Sequence, residues 1–296
     1  MRRFLSIVKT TALEALSEPL ALLLTVSAMT FAALVPAMHY HQFGESSRMA
    51  RDAGFSALFM FGAAYSIFMT VKGVRREIES GTISMAFAHG VSRRAFFLSK
   101  AAGSYAAFLV FAFTLIPLSL TAVNGAEIGG RVAMSTGSVA RMWGPSLSIA
   151  VAAIVASLFA GAVADRFFRC RFVPSASLCA LAISVAGMFY RPDFREIARL
   201  APAFAALLMP PAVFTLVAAA SAFRWKANAA AGISVLVFAL WLPLLGNYYL
   251  SDALSHGGKV SWLYAAASLA ALLPLAAAAA IAGIWTLEGK DITGER

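Results

Sequence analysis

Few side chains in this 296-residue sequence have the types and spacing needed for metal or redox chemistry. His39 and His41 stand two residues apart, so their imidazoles could share a metal ion on an extended chain. Two ligands alone make a poor metal site, and polar aromatic residues such as Tyr40 are typical of membrane interfaces. We therefore predict no metal centre at this pair. Cys170 and Cys179 match no zinc-binding pattern, and we expect both thiols to be unpaired and reduced.

Nucleotide hydrolysis would need a phosphate-binding loop, and the sequence has none. Lys259 and Lys290 each follow a glycine, but no Ser or Thr comes next and the upstream glycine spacing is wrong for G-x-x-x-x-G-K-[ST]. His256, in a Ser-His-Gly-Gly run, has no Ser and Asp partners arranged as in a hydrolase triad. We predict no catalytic residue and no cofactor in this chain, which is therefore not expected to be an enzyme.

The most patterned polar segment is an insert at residues 72–100, which includes the run RREIESGTISMAFAHGVSRRAFFLSK. It lies between two long apolar runs and carries too much charge to cross a bilayer. Gly81-Thr82 ends the charged part, and a short amphipathic piece containing Ile83, Met85 and Phe87 follows. The spacing predicts a short helix with one apolar face.

The second half of the insert predicts a turn and a new helix. His89-Gly90 is a turn signal. Ser92 then occupies an N-cap position before Arg93-Arg94, and the helix is expected to run through Lys100 into the next apolar segment. An alternative is a simple solvated loop, but loops seldom combine an N-cap with two helical registers. A structured, protruding insert of this kind is suited to docking a soluble partner. His89 could make that docking depend on pH, or it could serve only as a turn residue.

Composition places these polar segments in an all-α integral membrane protein with a single domain, residues 1–296. The chain is 60% hydrophobic, only 13% charged, and has a mean hydropathy of +0.78. Soluble domains carry about a quarter charged residues. Here the charges cluster between apolar runs of about 18–25 residues, the length that crosses a hydrocarbon core of about 30 Å.

Eight apolar segments are candidate transmembrane helices, although a six-helix core is possible. The Pro210–Pro211 pair interrupts the sixth, which could be a broken or re-entrant helix. In the fourth, Ala153, Ser157 and Gly161 recur every four residues and predict a helix-packing face rather than the lining of a path. The segments are 19–38, 55–71, 101–123, 144–164, 173–190, 201–223, 229–250 and 262–285.

The loop charges predict the orientation. Of the 24 Lys and Arg residues, sixteen fall in the connections on one side, including both termini and the insert, and eight on the other. The richer side should be cytoplasmic. The net charge of +10 then reflects topology and anionic headgroups rather than nucleic-acid binding. No charged residue falls inside the eight segments, which disfavours a proton- or sodium-coupled carrier.

Residues 1–18 predict an amphipathic helix at the membrane surface. Phe4, Ile7, Val8, Ala12, Ala15 and Leu16 share one face. Pro19 should end or redirect this helix. The pattern is typical of a helix lying in the headgroup layer, although a cytoplasmic extension of the first span is the alternative.

The insert resembles the signature of the type-2 ATP-binding-cassette (ABC) export permeases. That family has a charged E-x-E-x-G-T stretch after the second span, then a short helix, a P-[VL]-S-R turn and a lysine at the third span. The corresponding residues here are Glu77, Glu79, Gly81, Thr82, Val91, Ser92, Arg93 and Lys100. Gly90 replaces the usual proline, and Ser99 replaces the usual glycine. Residues 1–18 also resemble the elbow helix of the family.

The resemblance implies a permease subunit of an ABC exporter in a prokaryotic plasma membrane, which is the inner membrane in a Gram-negative cell. Such subunits pair with a second identical or homologous permease, and each binds a separate ATP-binding subunit, which holds ATP and Mg. The 72–100 insert would act as the coupling helix, with Met85 and Phe87 supplying contact area. The alternative is a non-transport assembly or scaffold subunit whose basic insert binds another cytoplasmic protein or anionic lipid.

Overall fold

Every regular element in the part of the chain that the structure describes is an α-helix. A computed structural model describes residues 2–37, 46–136, 144–169, 171–190, 194–241 and 260–289. Lipid offers backbone groups no hydrogen-bond partners, so an apolar chain satisfies them within helices. The ten described helices are α1 Arg2–Ser17, α2 Pro19–Ala37, α3 Ser46–Glu79, α4 Thr82–Ala88, α5 Arg93–Thr136, α6 Gly144–Phe168, α7 Phe172–Tyr190, α8 Phe194–Arg224, α9 Ala227–Trp241 and α10 Trp262–Glu288.

Five of these helices are long and apolar enough to cross a bilayer, judged over the described residues. They are α3, α5, α7, α8 and α10, which contain the second, third, fifth, sixth and eighth predicted segments. The first segment, in α2, meets the same test only together with α1, and the two helices are bent by 66° at their junction. The seventh segment is a shorter apolar helix, and its remainder lies outside the described residues.

Two helices run well beyond their apolar segments. α3 continues to Glu79 and carries the charged run of the insert, and α5 continues to Thr136, where only a loop was expected. Hydropathy marks where apolar side chains end, whereas the hydrogen-bond ladder of a helix continues until a cap or a breaker stops it. The apolar segments of α3 and α5 are therefore the middle parts of longer helices.

The proline pair of the sixth segment does not break its helix. Pro202, Pro210 and Pro211 all lie inside the continuous α8. Prolines 210 and 211 remove the usual donors to the carbonyls of residues 206 and 207. Close by, the hydroxyl of Tyr105 on α5 donates to the carbonyl of Leu208 at 3.0 Å. This bond ties α8 to α5 beside the proline pair, at a carbonyl one residue beyond the two that lose their helical donors.

α3, α5 and α8 form the inside of the bundle. In their most apolar 18-residue stretches, 72% of α3 and α5 and 61% of α8 is buried, against 22% of α7 and 11% of α10. Aromatic pairs join the inner helices, such as Tyr65 stacked on Phe111 at 5.1 Å between ring centroids and Phe55 edge-on to Phe204 at 5.0 Å. α7 and α10 are the outer helices of this set.

The small-residue face of α6 packs on α7, as its spacing predicted. Ala153 and Ser157 are fully buried, and a methyl group at Gly161 would lie 2.8 Å from the Cβ of Ala176. In lipid, such small residues allow close helix approach where hydrophobic burial gives no driving force.

The apolar face of α1 is directed at the bundle. Ala15 and Leu16 are buried, and the helix packs mainly on α5. The two helices approach closely at Gly103, where a methyl group would lie 2.6 Å from the Cβ of Thr11. α1 ends at Ser17 and α2 begins at Pro19, so the redirection predicted at this proline is confirmed. The apolar face thus seats α1 on the protein's own helices, leaving Leu5 and Leu13 on the exposed side.

Candidate functional site: the insert between α3 and α5

The insert folds locally as its sequence predicts. α3 ends at Glu79, α4 spans Thr82–Ala88, and α5 begins at Arg93. Gly81 and Gly90 both have a positive φ, +71° and +75°, which allows the two sharp reversals that flank α4. The side chain of Ser92 accepts a hydrogen bond from the backbone N–H of Ala95 at 3.3 Å, as an N-cap does.

α4 has one face against the protein and one face open. Ile83 is 3% exposed and packs below α4 in a cluster with Phe96, Phe97 and Leu287. Phe87 leans on Phe96 edge to face, with ring centroids 5.4 Å apart. On the opposite face, Met85 is 63% exposed. The other exposed residues around α4 are Gly81, Thr82, Ser84, Ala88, His89, Gly90 and Ser92.

A buried ion pair joins the two long helices at the base of the insert. The ammonium of Lys100 on α5 bonds the carboxylate of Glu77 on α3, and these side chains are 3% and 17% exposed. The same ammonium lies 5.8 Å from the ring centroid of Phe96. Both groups lie beyond the apolar segment 55–71. Burial raises the pKa of Glu77, and Lys100 partly opposes this rise. This pair fixes the distance between the two ends of the insert.

The remaining cations of the insert also have partners. Arg75 pairs with Glu79 one turn along α3, at 3.2 Å. Lys72 and Arg76 both pair with Glu18, at the junction of α1 and α2. These contacts tie the end of α3 to the N-terminal helices.

Two arginines at the start of α5 contact the end of α10. Arg93 Nη1 donates to the carbonyls of Leu287 and Glu288 at 3.1 and 2.8 Å. Arg94 Nε lies 2.8 Å from a carboxylate oxygen of Glu288. The guanidinium of Arg93 also lies 5.9 Å from the ring centroid of Phe87 on α4.

The N-terminal helix contacts the insert from another side. Arg3 Nη1 donates to the carbonyl of His89 at 2.7 Å, in the turn that follows α4. The short helix is therefore held through its turns and its inner face by α1, α5 and the end of α10. The inner face of α4 is thus fixed to the bundle, while the face that carries Met85 remains exposed.

The structure brings the predicted insert residues together but divides them into two groups. Glu77, Phe87, Arg93 and Lys100 point inward and form the base, whereas Met85 lies on the open face. The other predicted docking residues, Glu79, Gly81, Thr82 and Ser92, are exposed.

Sequence reasoning missed the bracing residues Arg3, Glu18 and Glu288, which lie far along the chain from the insert. Glu18 had one usable signal. It is one of only two acidic residues among the first 44, and it directly precedes Pro19 at the predicted helix junction. Nothing comparable in the local sequence points to Arg3 or Glu288.

The metal and cysteine predictions fall largely outside the described residues. His39, His41 and Cys170 lie there. Cys179 is a free thiol on α7. Within the described ranges, no three His, Cys, Asp or Glu side chains are grouped so that they could hold a metal ion.

Comparisons of this chain with protein-family models, with curated proteins and with solved structures gave no match. The geometry of the insert and its resemblance to the ABC export permeases are the features that point to a function.

Proposed function

We propose that this protein is the membrane-spanning permease subunit of an ABC transporter, an exporter driven by a separate ATP-hydrolysing subunit that docks on the 72–100 insert. The observation that carries the proposal is the division of α4 into a seated and an open face. Ile83 is 3% exposed and Met85 63% exposed, although they are only two residues apart. A helix of seven residues is marginal by itself, so its seating on the bundle is what keeps it folded with one face presented.

The charges of the insert favour a protein partner over anionic lipid. Its six Lys and Arg residues and two Glu residues give +4, and Glu18 and Glu288 from outside lower this to +2. Five of the six cations pair with a carboxylate, and the sixth, Arg93, bonds main-chain carbonyls. A lipid-binding segment would present unpaired cations to the headgroups. The open face of α4 instead offers an apolar side chain.

In this proposal the partner subunit hydrolyses ATP, and this chain only transmits the resulting movement. ATP and Mg would be bound by the partner, and the insert would only carry displacement into α3 and α5. The Glu77–Lys100 pair suits this role because it joins the two helices at the base of the insert. Pairing with a second permease copy would complete the transporter.

Docking is tested with one variant on the open face of α4 and a matched control. Met85→Asp should weaken association with the proposed ABC ATP-binding subunit. Burying a methionine contributes about 1.5–3 kcal/mol, so we expect at least about a tenfold loss of affinity. Phe167→Asp is the control, since Phe167 is an apolar side chain of 76% exposure at the end of α6, on the same predicted side.

Phe87 is unsuitable for this test because it packs on Phe96, so its substitution would also unseat α4. The readouts are co-purification and stimulation of ATP hydrolysis. Equal binding by Met85→Asp, Phe167→Asp and parent would remove the docking proposal. Absent ATPase binding together with retention on anionic vesicles would favour the scaffold alternative.

Sidedness provides a separate check. In a background with both native cysteines replaced by serine, Ala88→Cys lies on the exposed part of α4. A membrane-impermeant maleimide should label it in inside-out vesicles and not in intact cells. Labelling from outside intact cells would place the insert on the wrong face and end the proposal.

A further inference from the structure

Most of α10 lies at the surface of the bundle. Its most apolar 18-residue stretch is 11% buried, and its main neighbour is α8. Its cytoplasmic end differs, because Leu287 is only 1% exposed and belongs to the cluster beneath α4. A methyl group at Gly283 would lie 2.2 Å from Cζ of Phe97, so α10 and α5 approach closely there.

Arg93 bonds the main chain at this end of α10. The final carbonyls of a helix have no intrahelical donors. The N–H of Gly289 satisfies the carbonyl of Trp285 at 3.0 Å, and Arg93 satisfies those of Leu287 and Glu288. A cation is also favourable at the negative end of the helix dipole. Because the acceptors are main-chain atoms, Arg93 holds the helix itself rather than a mobile side chain.

The same guanidinium lies against α4. Its position over the ring of Phe87 means that one residue contacts the short helix, begins α5 and caps α10. The neighbouring Arg94–Glu288 pair is exposed by 71% and 40%, and water screens such exposed pairs strongly. Arg93 is therefore the stronger of the two connections.

We propose that Arg93 is a positioning residue that joins the insert to the last helix, so that displacement of α4 moves the cytoplasmic end of α10 with it. The role in transmission rests on the proposed function, whereas the mechanical connection does not. Under this proposal the insert passes its movement to α10, which packs along α8, as well as to the two helices that flank the insert.

The connection is tested on the purified chain in lipid nanodiscs, without any ATPase. Nitroxide labels at Ala88→Cys on α4 and Trp285→Cys on α10, in a background without native cysteines, should give one narrow distance distribution. Arg93→Ala should lose this narrow peak, and Arg93→Lys, which keeps the charge and one donor group, should retain more of it. Arg224→Ala, at the end of α8, is the control and should behave as the parent.

A second label pair separates loss of the connection from loss of the fold. Met60 and Phe113 are exposed by 51% and 50% on the inner helices α3 and α5. Labels there should keep one narrow distribution in Arg93→Ala. A narrow Ala88–Trp285 peak in Arg93→Ala, or equal broadening in Arg224→Ala, would overturn the proposal.

Transmission is then tested in the complex with the ATPase. Labels at Met49 on α3 and Leu263 on α10 report the opposite end of the last helix. ATP with vanadate should shift their distance in the parent, and Arg93→Ala should lose the shift. A shift that persists in Arg93→Ala, or no shift in a parent that binds the ATPase, would refute α10 as an output. Failure of the ATPase to bind would instead refute the proposed function and leave the nanodisc result standing.

Discussion

The buried Glu77–Lys100 pair allows a prediction of both size and pH dependence. Lys100→Met keeps the aliphatic stem beside Phe96 but leaves the Glu77 carboxylate without its cation. One oxygen of that carboxylate is already buried without a hydrogen-bond partner among the described residues. Breaking a buried pair on one side costs about 3–5 kcal/mol.

Protonation of Glu77 limits this cost. A glutamic acid with its usual pKa of about 4.3 can be neutralised at pH 7 for about 3.7 kcal/mol, at about 1.36 kcal/mol per pKa unit. Lys100→Met should therefore lower the free energy of unfolding by about 3 kcal/mol at pH 7. At pH 5 protonating Glu77 costs only about 1 kcal/mol, so the loss of stability should not exceed that value. Above pH 4.3 the unfolded chain releases the proton that the folded variant keeps, so this variant loses stability as pH rises.

Removing the carboxylate should also destabilise the protein. Glu77→Gln leaves Lys100, which is 3% exposed, without its counter-charge. Leaving one member of a buried pair without its partner costs about 3–5 kcal/mol, so we expect a loss of stability of that size. The double variant buries no unpaired charge and should lie within about 1 kcal/mol of the parent.

Unfolding in mixed detergent–SDS micelles, followed by circular dichroism at pH 5, 7 and 9, measures all four proteins. Lys72→Met is the control, because Lys72 is half exposed and its partner Glu18 keeps Arg76. We expect a change below about 1 kcal/mol for it. Single variants as stable as the parent at pH 7, or a double variant whose loss equals the sum of the single losses, would show that Glu77 and Lys100 do not form a buried pair.

Three further predictions concern the local geometry and use the same unfolding assay. Gly283→Ala would place a methyl group against the buried Phe97 and should cost about 1–3 kcal/mol. Gly73→Ala is the control, because nothing lies within 4 Å there, and it should be neutral or stabilising by up to about 1 kcal/mol. Equal stability of the two variants would contradict the close approach of α10 to α5. Gly81→Ala should cost about 1–2 kcal/mol because φ is positive there, and no loss would mean that the turn has another conformation. Ser92→Ala should lose about 1 kcal/mol with the N-cap, while Ser92→Asp, which can still accept the bond, should not.

Much of the insert could be predicted because its signals are local. The end of the charged run at Gly81, the turn at His89-Gly90 and the N-cap at Ser92 each depend on residues within one helical turn. The same holds for the break at Pro19. In each case the backbone conformation that the residue favours is the one the structure contains.

The prediction for Phe87 shows where local reasoning ends. Its position in a short amphipathic helix suggested contact area for a partner, as for Met85. The structure places it against Phe96 and beneath the guanidinium of Arg93. Both residues are apolar and two positions apart, so only the docking of α4 on α5 distinguishes the seated residue from the open one.

The sequence by itself determined that this is a helical protein with apolar segments of membrane length and a structured polar insert, because composition and periodicity act within single segments. The tertiary structure decided which helices lie inside, since lipid and protein interior are equally apolar and hydropathy cannot separate them. It also decided the partners of Lys100 and Arg93, which lie 23 and 194–195 residues away. The sequence indicates that a charged side chain near the membrane needs a partner, but only the packing of distant helices determines which group is within reach.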